Sequence, residues 1–123
     1  MYLWDTNIVR HFGEGHPTLH LYLERISWSE IALPSVVVAE VLRGCCDFAL
    51  KAIPSKAPLA HRFLLETQQI LSRFNVVVFD KRFVNTLEEL LRKHKTHKQY
   101  TDIMIAAMAK AGKHIVVTRN KKH

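Results

Sequence analysis

The sequence opens with Tyr2-Leu3-Trp4, a short apolar run that Asp5-Thr6-Asn7 interrupts at once. A buried strand followed by a polar turn gives this pattern, so we predict a strand at residues 2–4. In open parallel α/β sheets, ligands bind outside the carboxyl ends of the strands. The opening segment therefore starts a sheet and places the Asp5 carboxylate at the edge where a binding site is expected.

Outward from this segment, apolar runs alternate with helical patterns. Further strands are predicted at residues 30–33, 76–79 and 115–117; helices are predicted at residues 8–12, after Pro17, and at 36–50, 59–74, 83–91 and 103–111. Strands separated by helices predict a three-layer α/β/α sandwich around a mostly parallel sheet.

Local sequence signals predict where some of the helices begin and end. The helix after the second strand begins with three consecutive valines, which favour strands, but Val37, Glu40 and Gly44 recur at helical spacing. Ser35 and Asp80 are predicted N-caps, because their side-chain oxygens can accept from the first free backbone N–H groups. Gly112 is predicted to close the last helix.

The chain has 123 residues, 48% of them hydrophobic. We predict one domain spanning residues 1–123, with a core of ordinary size. The apolar runs are far shorter than the ~20 residues that a membrane-spanning helix needs. We also expect no signal peptide, because Asp5 interrupts the first apolar stretch. Cys45 and Cys46 are adjacent, so no spaced cysteine framework for disulfides exists. We expect a soluble, cytoplasmic protein with no membrane association.

The formal net charge of +7 is unevenly distributed. Residues 92–123 carry nine of the 18 Lys and Arg residues but only one of the 11 acids, Asp102. Clustered positive charge favours a polyanionic partner through phosphate contacts and counterion release. The same charge can also serve as a solvated surface, and composition alone does not decide between the two.

Three acids fall where the predicted sheet would bring them together. Asp5 follows the first strand, Glu40 lies near the start of the helix after the second, and Asp102 opens the helix before the fourth. Converging carboxylates repel one another unless a cation neutralises them, and Mg²⁺ prefers oxygen ligands. Beside a basic stretch, such a site favours phosphodiester hydrolysis. Each acid also has a structural alternative: Asp5 and Asp102 as caps, and Glu40 on a solvated helix face.

Four segments resemble the motifs of PIN-domain proteins, in the order and spacing of that family. They are Leu3–Asn7 (LWDTN), Pro34–Gly44 (PSVVVAEVLRG), Asp102–Ala109 (DIMIAAMA) and Val116–Asn120 (VVTRN). Together the four motifs span nearly the whole chain, which makes them far more specific than any one alone. The branch that the chain resembles most is the VapC-type toxins of toxin–antitoxin pairs.

The resemblance implies an endoribonuclease that depends on Mg²⁺ or Mn²⁺. By this resemblance the catalytic and metal-binding acids are Asp5, Glu40 and Asp102, and the supporting residues are Asn7, Thr118 and Asn120. It also implies an RNA substrate, a cognate antitoxin that covers the site, and a homodimer.

His123 departs from the family pattern, because many members carry an aspartate three residues after the asparagine of the fourth motif. The missing carboxylate bears on a second metal more than on the first, and imidazole suits Mn²⁺ better than Mg²⁺. Members usually continue beyond this position, which leaves open whether the domain is complete at residue 123. Two rival functions stay open: a nucleic-acid-binding or regulatory module with a weakened metal centre, and a nuclease acting on DNA or small phosphorylated substrates.

Overall fold

The computed structural model describes residues 1–13, 27–93 and 99–117. Within these residues four strands form one sheet: β1 (Tyr2–Trp4), β2 (Ile31–Pro34), β3 (Asn75–Val77) and β4 (Ile115–Val117). The strands lie in the order β3-β2-β1-β4, and every pairing is parallel. All four predicted strands are confirmed, with ends that differ by up to two residues.

Five α-helices lie among the described residues. They are α1 (Thr6–Gly13), α2 (Ser35–Lys51), α3 (Ala57–Leu71), α4 (Val84–Lys93) and α5 (Tyr100–Gly112), with 3₁₀ turns at Trp28–Glu30 and Lys81–Phe83. The helix predicted after Pro17 lies outside the described residues. An all-parallel sheet with helices between its strands confirms the predicted α/β/α sandwich. In the part of the chain that is described, no helix is both long and apolar enough to cross a membrane.

The central strands are the most buried part of the fold. Leu3, Trp4 and all of β2 lie within the core, whereas the edge strands β3 and β4 are partly exposed. The Trp4 ring packs against Phe74 and Phe12, with ring centroids 5.3 Å and 5.8 Å away. Apolar burial of this kind is the main favourable term in folding, so β1 is anchored firmly just before Asp5.

The valine-rich start of α2 is helical, as its spacing predicts. Val36 and Val37 are buried in the core that includes β1 and β2. The tertiary packing of this face outweighs the preference of β-branched residues for strands.

Two predicted helix caps are wrong. Ser35 is the first residue of α2, and Pro34 is the N-cap. The Ser35 hydroxyl instead accepts from the backbone N–H of Phe79 at 2.9 Å, which ties α2 to the segment after β3. Gly112 lies inside the last turn of α5, and the left-handed residue that ends the helix is Lys113, with φ 57° and ψ 44°.

Asp80 is confirmed as a cap, although of the 3₁₀ turn that leads into α4. Its carboxylate accepts from the backbone N–H of Arg82 at 3.0 Å and from the Arg82 side-chain Nε at 3.0 Å. The hydrogen bond from the Arg82 side chain, with that from its backbone, lowers the pKa of Asp80 below its ordinary value. The Asp80 carboxylate therefore stabilises the turn that leads into α4.

The ends of α5 can be placed relative to the sheet. Its C-terminus lies at the amino edge, because Ile115 just after it donates its N–H to the Met1 carbonyl at 3.0 Å. A helix of 13 residues extends about 20 Å, so α5 begins toward the carboxyl edge. This is the edge that β1 reaches at Asp5.

Candidate active site

Asp5 lies at the junction of β1 and α1, beside the end of β4. Its backbone N–H donates to the Val117 carbonyl at 3.3 Å. Its Oδ1 accepts from the backbone N–H of Ile8 at 2.9 Å, so Asp5 caps α1. The cap uses one carboxylate oxygen. Oδ2 makes no hydrogen bond within the described part of the chain, and the residue is half-buried.

The strand order makes this junction the expected ligand site. The chain adds β2 and β3 on one side of β1 and then returns to place β4 on the other. In open parallel sheets the point where the order reverses opens a crevice at the carboxyl ends of the strands. Here that point lies between β1 and β4, and Asp5 is the residue that leaves β1.

Glu40 meets the same junction from α2. Its Oε1 accepts a hydrogen bond from the Thr6 hydroxyl at 2.9 Å, across 34 residues of sequence. Thr6 follows Asp5 directly, so this bond joins the first predicted motif to the second. It also holds the Glu40 carboxylate in one orientation, since a bond to an ionised group is stronger than a neutral one. Glu40 is half-buried and thus does not lie on the fully solvated face of α2.

Asp102 is exposed in the first turn of α5. The N-cap of this helix is Gln99, so the alternative role of Asp102 as a cap is not what the structure shows. An acid in the first turn still interacts favourably with the positive end of the helix dipole. Because α5 begins toward the carboxyl edge of the sheet, Asp102 also lies toward this edge.

The structure therefore links Asp5 and Glu40 through Thr6 and places Asp102 toward the same edge. It does not gather all three tightly: among residues 1–13, 27–93 and 99–117, no three His, Cys, Asp or Glu side chains are arranged to hold a metal ion. The donor chemistry nevertheless suits a hard cation, because Asp5, Glu40 and Asp102 offer only oxygen atoms. As a ligand set the three acids remain a prediction.

The predicted supporting residues have different outcomes. Asn7 is exposed in the first turn of α1, two residues from Asp5. Thr118 and Asn120 lie outside the described residues, as does His123. The described chain ends at Val117, whose carbonyl accepts from the Asp5 N–H. Thr6, which sequence reasoning missed, is the polar residue that connects the motifs, and its signal was its place between Asp5 and Asn7.

The basic residues divide between the two edges of the sheet. The start of α4 lies near the end of α5, because a Cβ added at Gly112 would lie 3.5 Å from the Phe83 ring. The two helices pack together, so α4 runs back along α5. Arg92 and Lys93, in the last turn of α4, then lie toward the carboxyl edge, whereas Lys113 lies at the amino edge. Much of the basic stretch, residues 94–98 and 118–123, is outside the described chain.

The amino edge carries a different titratable group, His114. Burial lowers the pKa of its imidazole below the ordinary value, and the positive charges of the N-terminus and Arg82 act in the same direction. Its buried Nδ1 has no hydrogen-bond partner among the described residues. Since β4 begins one residue later, His114 lies at the other end of the strand from the Asp5 junction.

Comparison with protein families and solved structures agrees with this fold. The family described as "PIN domain" matches residues 2–123. No curated protein matches the chain. The structure of VapBC2 from Rickettsia felis bound to a DNA fragment from their promoter is similar, with a TM-score of 0.74 and 26% identity over 98% of this chain and 89% of that chain.

Two further structures have the same fold. FitAcB from Neisseria gonorrhoeae has a TM-score of 0.72 and 26% identity, over 98% of this chain and 88% of that chain. A toxin–antitoxin complex from Klebsiella pneumoniae has a TM-score of 0.73 and 22% identity, over 99% of this chain and 88% of that chain. The likeness therefore extends over nearly the whole chain.

Proposed function

Since this chain belongs to the PIN domain family, whose members are generally nucleases, we propose that it is a metal-dependent endoribonuclease, the toxin of a toxin–antitoxin pair. The observation that carries the proposal is the hydrogen bond from Thr6 to Glu40 beside Asp5. It joins two acidic motifs at the topological switch point of the sheet. The similar complexes VapBC2 and FitAcB, at 26% identity, support the assignment to toxin–antitoxin systems.

Asp5, Glu40 and Asp102 would hold Mg²⁺ or Mn²⁺. When bound, the cation supplies two effects: it lowers the pKa of a coordinated water and offsets charge on the phosphate under attack. The residues of the chain provide the rest. Thr6 fixes the Glu40 carboxylate, and the cap on α1 fixes that of Asp5. Arg92 and Lys93 supply positive charge for the phosphates of the strand.

Because water attacks in this scheme rather than the ribose 2′-hydroxyl, we expect products with 5′-phosphate and 3′-hydroxyl ends. A cognate antitoxin that covers the site, a homodimer and a cytoplasmic location complete the proposal, all inferred from the family. Asn7, Thr118 and Asn120 are proposed to shape the site or hold water and phosphate.

The test is cleavage of single-stranded RNA in Mg²⁺ or Mn²⁺ by the wild type, Asp5→Asn and Asp102→Asn. Both substitutions keep side-chain size and remove one negative charge. We expect the wild type to cleave and both variants to lose most activity. Unchanged cleavage by both variants would contradict the assignment. A competition between single-stranded RNA and single-stranded DNA would show whether the protein is instead a nuclease acting on DNA.

A second function is favoured by one observation, namely that no three acids of the described chain are arranged to hold a metal ion. On this alternative the chain is a regulatory module that binds nucleic acid without cleaving it. Salt-sensitive RNA binding by the wild type, with no cleavage in either metal, would decide for it.

A further inference from the structure

Gly44 lies in the third turn of α2, where glycine lowers the stability of a helix relative to alanine. Nothing in the described structure requires it. A Cβ at this position would meet no atom within 4 Å, and the residue has ordinary helical backbone angles. Neither packing against residues 1–13, 27–93 and 99–117 nor a left-handed conformation therefore explains the glycine. Close approach of another molecule to the helix backbone is the remaining use of such a residue.

The position of Gly44 indicates what approaches. Residues four apart on a helix are neighbours on one face, about 6 Å apart along the axis, so Gly44 adjoins Glu40. Any strand that reaches the junction of Glu40 and Thr6 along α2 must pass over Gly44. A side chain at this position would stand in the path.

The charges around Gly44 favour an anionic strand. Arg43 is exposed and forms no ion pair within the described part of the chain. Asp47, one turn beyond Gly44, faces Lys51 at 4.0 Å, which offsets its negative charge. Among the described residues, Arg43 is thus the unpaired cation next to Gly44, and its guanidinium suits a phosphate.

Phe48 continues the same face one turn further. It is 38% exposed, and its ring packs edge-on against Phe63 with centroids 6.5 Å apart. Exposed aromatic rings provide stacking surfaces for unpaired bases. The face therefore offers a carboxylate, a bare backbone with a neighbouring cation, and an aromatic ring, in that order along α2.

From this order we infer that the third turn of α2 is the track of the RNA substrate, with the sugar–phosphate backbone passing over Gly44 and its phosphate bound by Arg43. The inference rests on the proposed nuclease function and adds a binding role for two residues to it. Because Gly44 has no side chain, the RNA strand can lie close to the backbone of α2.

The experiment compares Gly44→Ala and Gly44→Leu with Asn85→Leu. Asn85 is exposed near the start of α4, toward the amino edge of the sheet, so Asn85→Leu adds bulk to a different helix away from the track. Two quantities are measured for each variant: KM and kcat for a labelled single-stranded RNA of mixed sequence, and binding of that RNA in the Asp5→Asn background, where it stays intact. Thermal unfolding is followed alongside.

We expect Gly44→Leu to raise KM and weaken binding about tenfold, equivalent to about 1.4 kcal/mol. Gly44→Ala should have a smaller effect in the same direction while its unfolding midpoint rises, which excludes misfolding as the cause. Asn85→Leu should match the wild type. Wild-type KM and binding in both Gly44 variants would overturn the inference, as would an absence of RNA binding by the parent protein.

The two proposals can fail separately. If the parent binds RNA without cleaving it, the nuclease assignment fails, and the binding series at Gly44 still decides the track. If Gly44→Leu leaves RNA affinity unchanged but shifts the oligomeric state in light scattering, the bare turn belongs to a contact between copies of the chain, and the RNA track is overturned.

Discussion

Gly44 and Gly112 are both helical, yet their surroundings are opposite. A Cβ at Gly44 would enter open space, whereas a Cβ at Gly112 would lie 2.6 Å from the imidazole of His114. Packing within the described part of the chain therefore explains Gly112 but not Gly44. On the proposed account, Gly112 is small because of the fold and Gly44 is small because of a ligand.

The same contrast holds between the two edges of the sheet. At the carboxyl edge, Asp5 and Glu40 are half-buried and held by hydrogen bonds from Ile8 and Thr6. At the amino edge, His114 fills the space beside Gly112. We expect changes at the first edge to affect activity more than stability, and changes at the second to do the reverse.

Removal of divalent metal should have the largest effect at the carboxyl edge. Chelation with EDTA is expected to reduce RNA cleavage to background, because without a cation the carboxylates cannot generate a nucleophile from water at neutral pH. Mg²⁺ or Mn²⁺ added in excess of the chelator should restore it. The readout is the rate of product formation on a gel. Full activity in EDTA would place the chemistry elsewhere.

Gly112→Ala should affect mainly stability, by about 1–3 kcal/mol, because the new Cβ must displace the His114 ring from a packed site. Chemical denaturation measures this loss. Gly44→Ala is the matched control, with the same added methyl group and an expected gain of about 0.5–1 kcal/mol. Equal stability changes in the two variants would remove the contrast between the glycines.

Thr6→Val should lower kcat/KM about five- to tenfold, the change that corresponds to about 1–1.4 kcal/mol of lost orientation of Glu40. Valine keeps the shape of threonine without the hydroxyl. Thr6→Ser, which retains the hydroxyl, should keep most of the activity. Steady-state kinetics on RNA distinguish the two, and equal activity in both would show that the bond to Glu40 has no catalytic part.

The smallest of the expected effects is the pH dependence that His114 gives to the free energy of unfolding. Its pKa is lowered from 6.5 in the fold, so the unfolded chain takes up a proton at a higher pH than the folded chain does. The free energy of unfolding should therefore fall as the pH drops below about 6.5, down to the folded pKa, with no contribution above that range. The same measurement on His114→Gln should give a shallower fall, and an identical pH dependence would contradict the role of this imidazole.

Sequence patterns located the strands because each is a short apolar run between polar turns. They also placed α2 correctly, since the helical spacing from Val37 to Gly44 reflects burial of one face. One wrong cap involves a partner distant in sequence, and the other involves a side chain only two residues away. The Ser35 hydroxyl binds Phe79, 44 residues away, and the Gly112 position is filled by the ring of His114.

The candidate site could be predicted only in part. Apolar runs reveal the strands, and so place Asp5 at the end of β1, but the order of the strands in the sheet comes from the structure. The hydrogen bond from Thr6 depends on how α1 and α2 pack, and no local pattern encodes it. The direction of α5 places Asp102 toward the carboxyl edge, but side-chain convergence depends on details of packing that periodicity does not specify.

The most direct test of the account uses two substitutions of Asp5, measured for both RNA cleavage and thermal unfolding. Asparagine caps a helix about as well as aspartate, whereas alanine removes the cap. We predict that Asp5→Asn unfolds near the wild-type midpoint but cleaves RNA at least about 100-fold more slowly. This loss corresponds to an activation free energy higher by about 2.7 kcal/mol. Asp5→Ala should lose both stability and cleavage. Wild-type cleavage by a stable Asp5→Asn would show that Asp5 only caps α1, and would contradict the proposed active site.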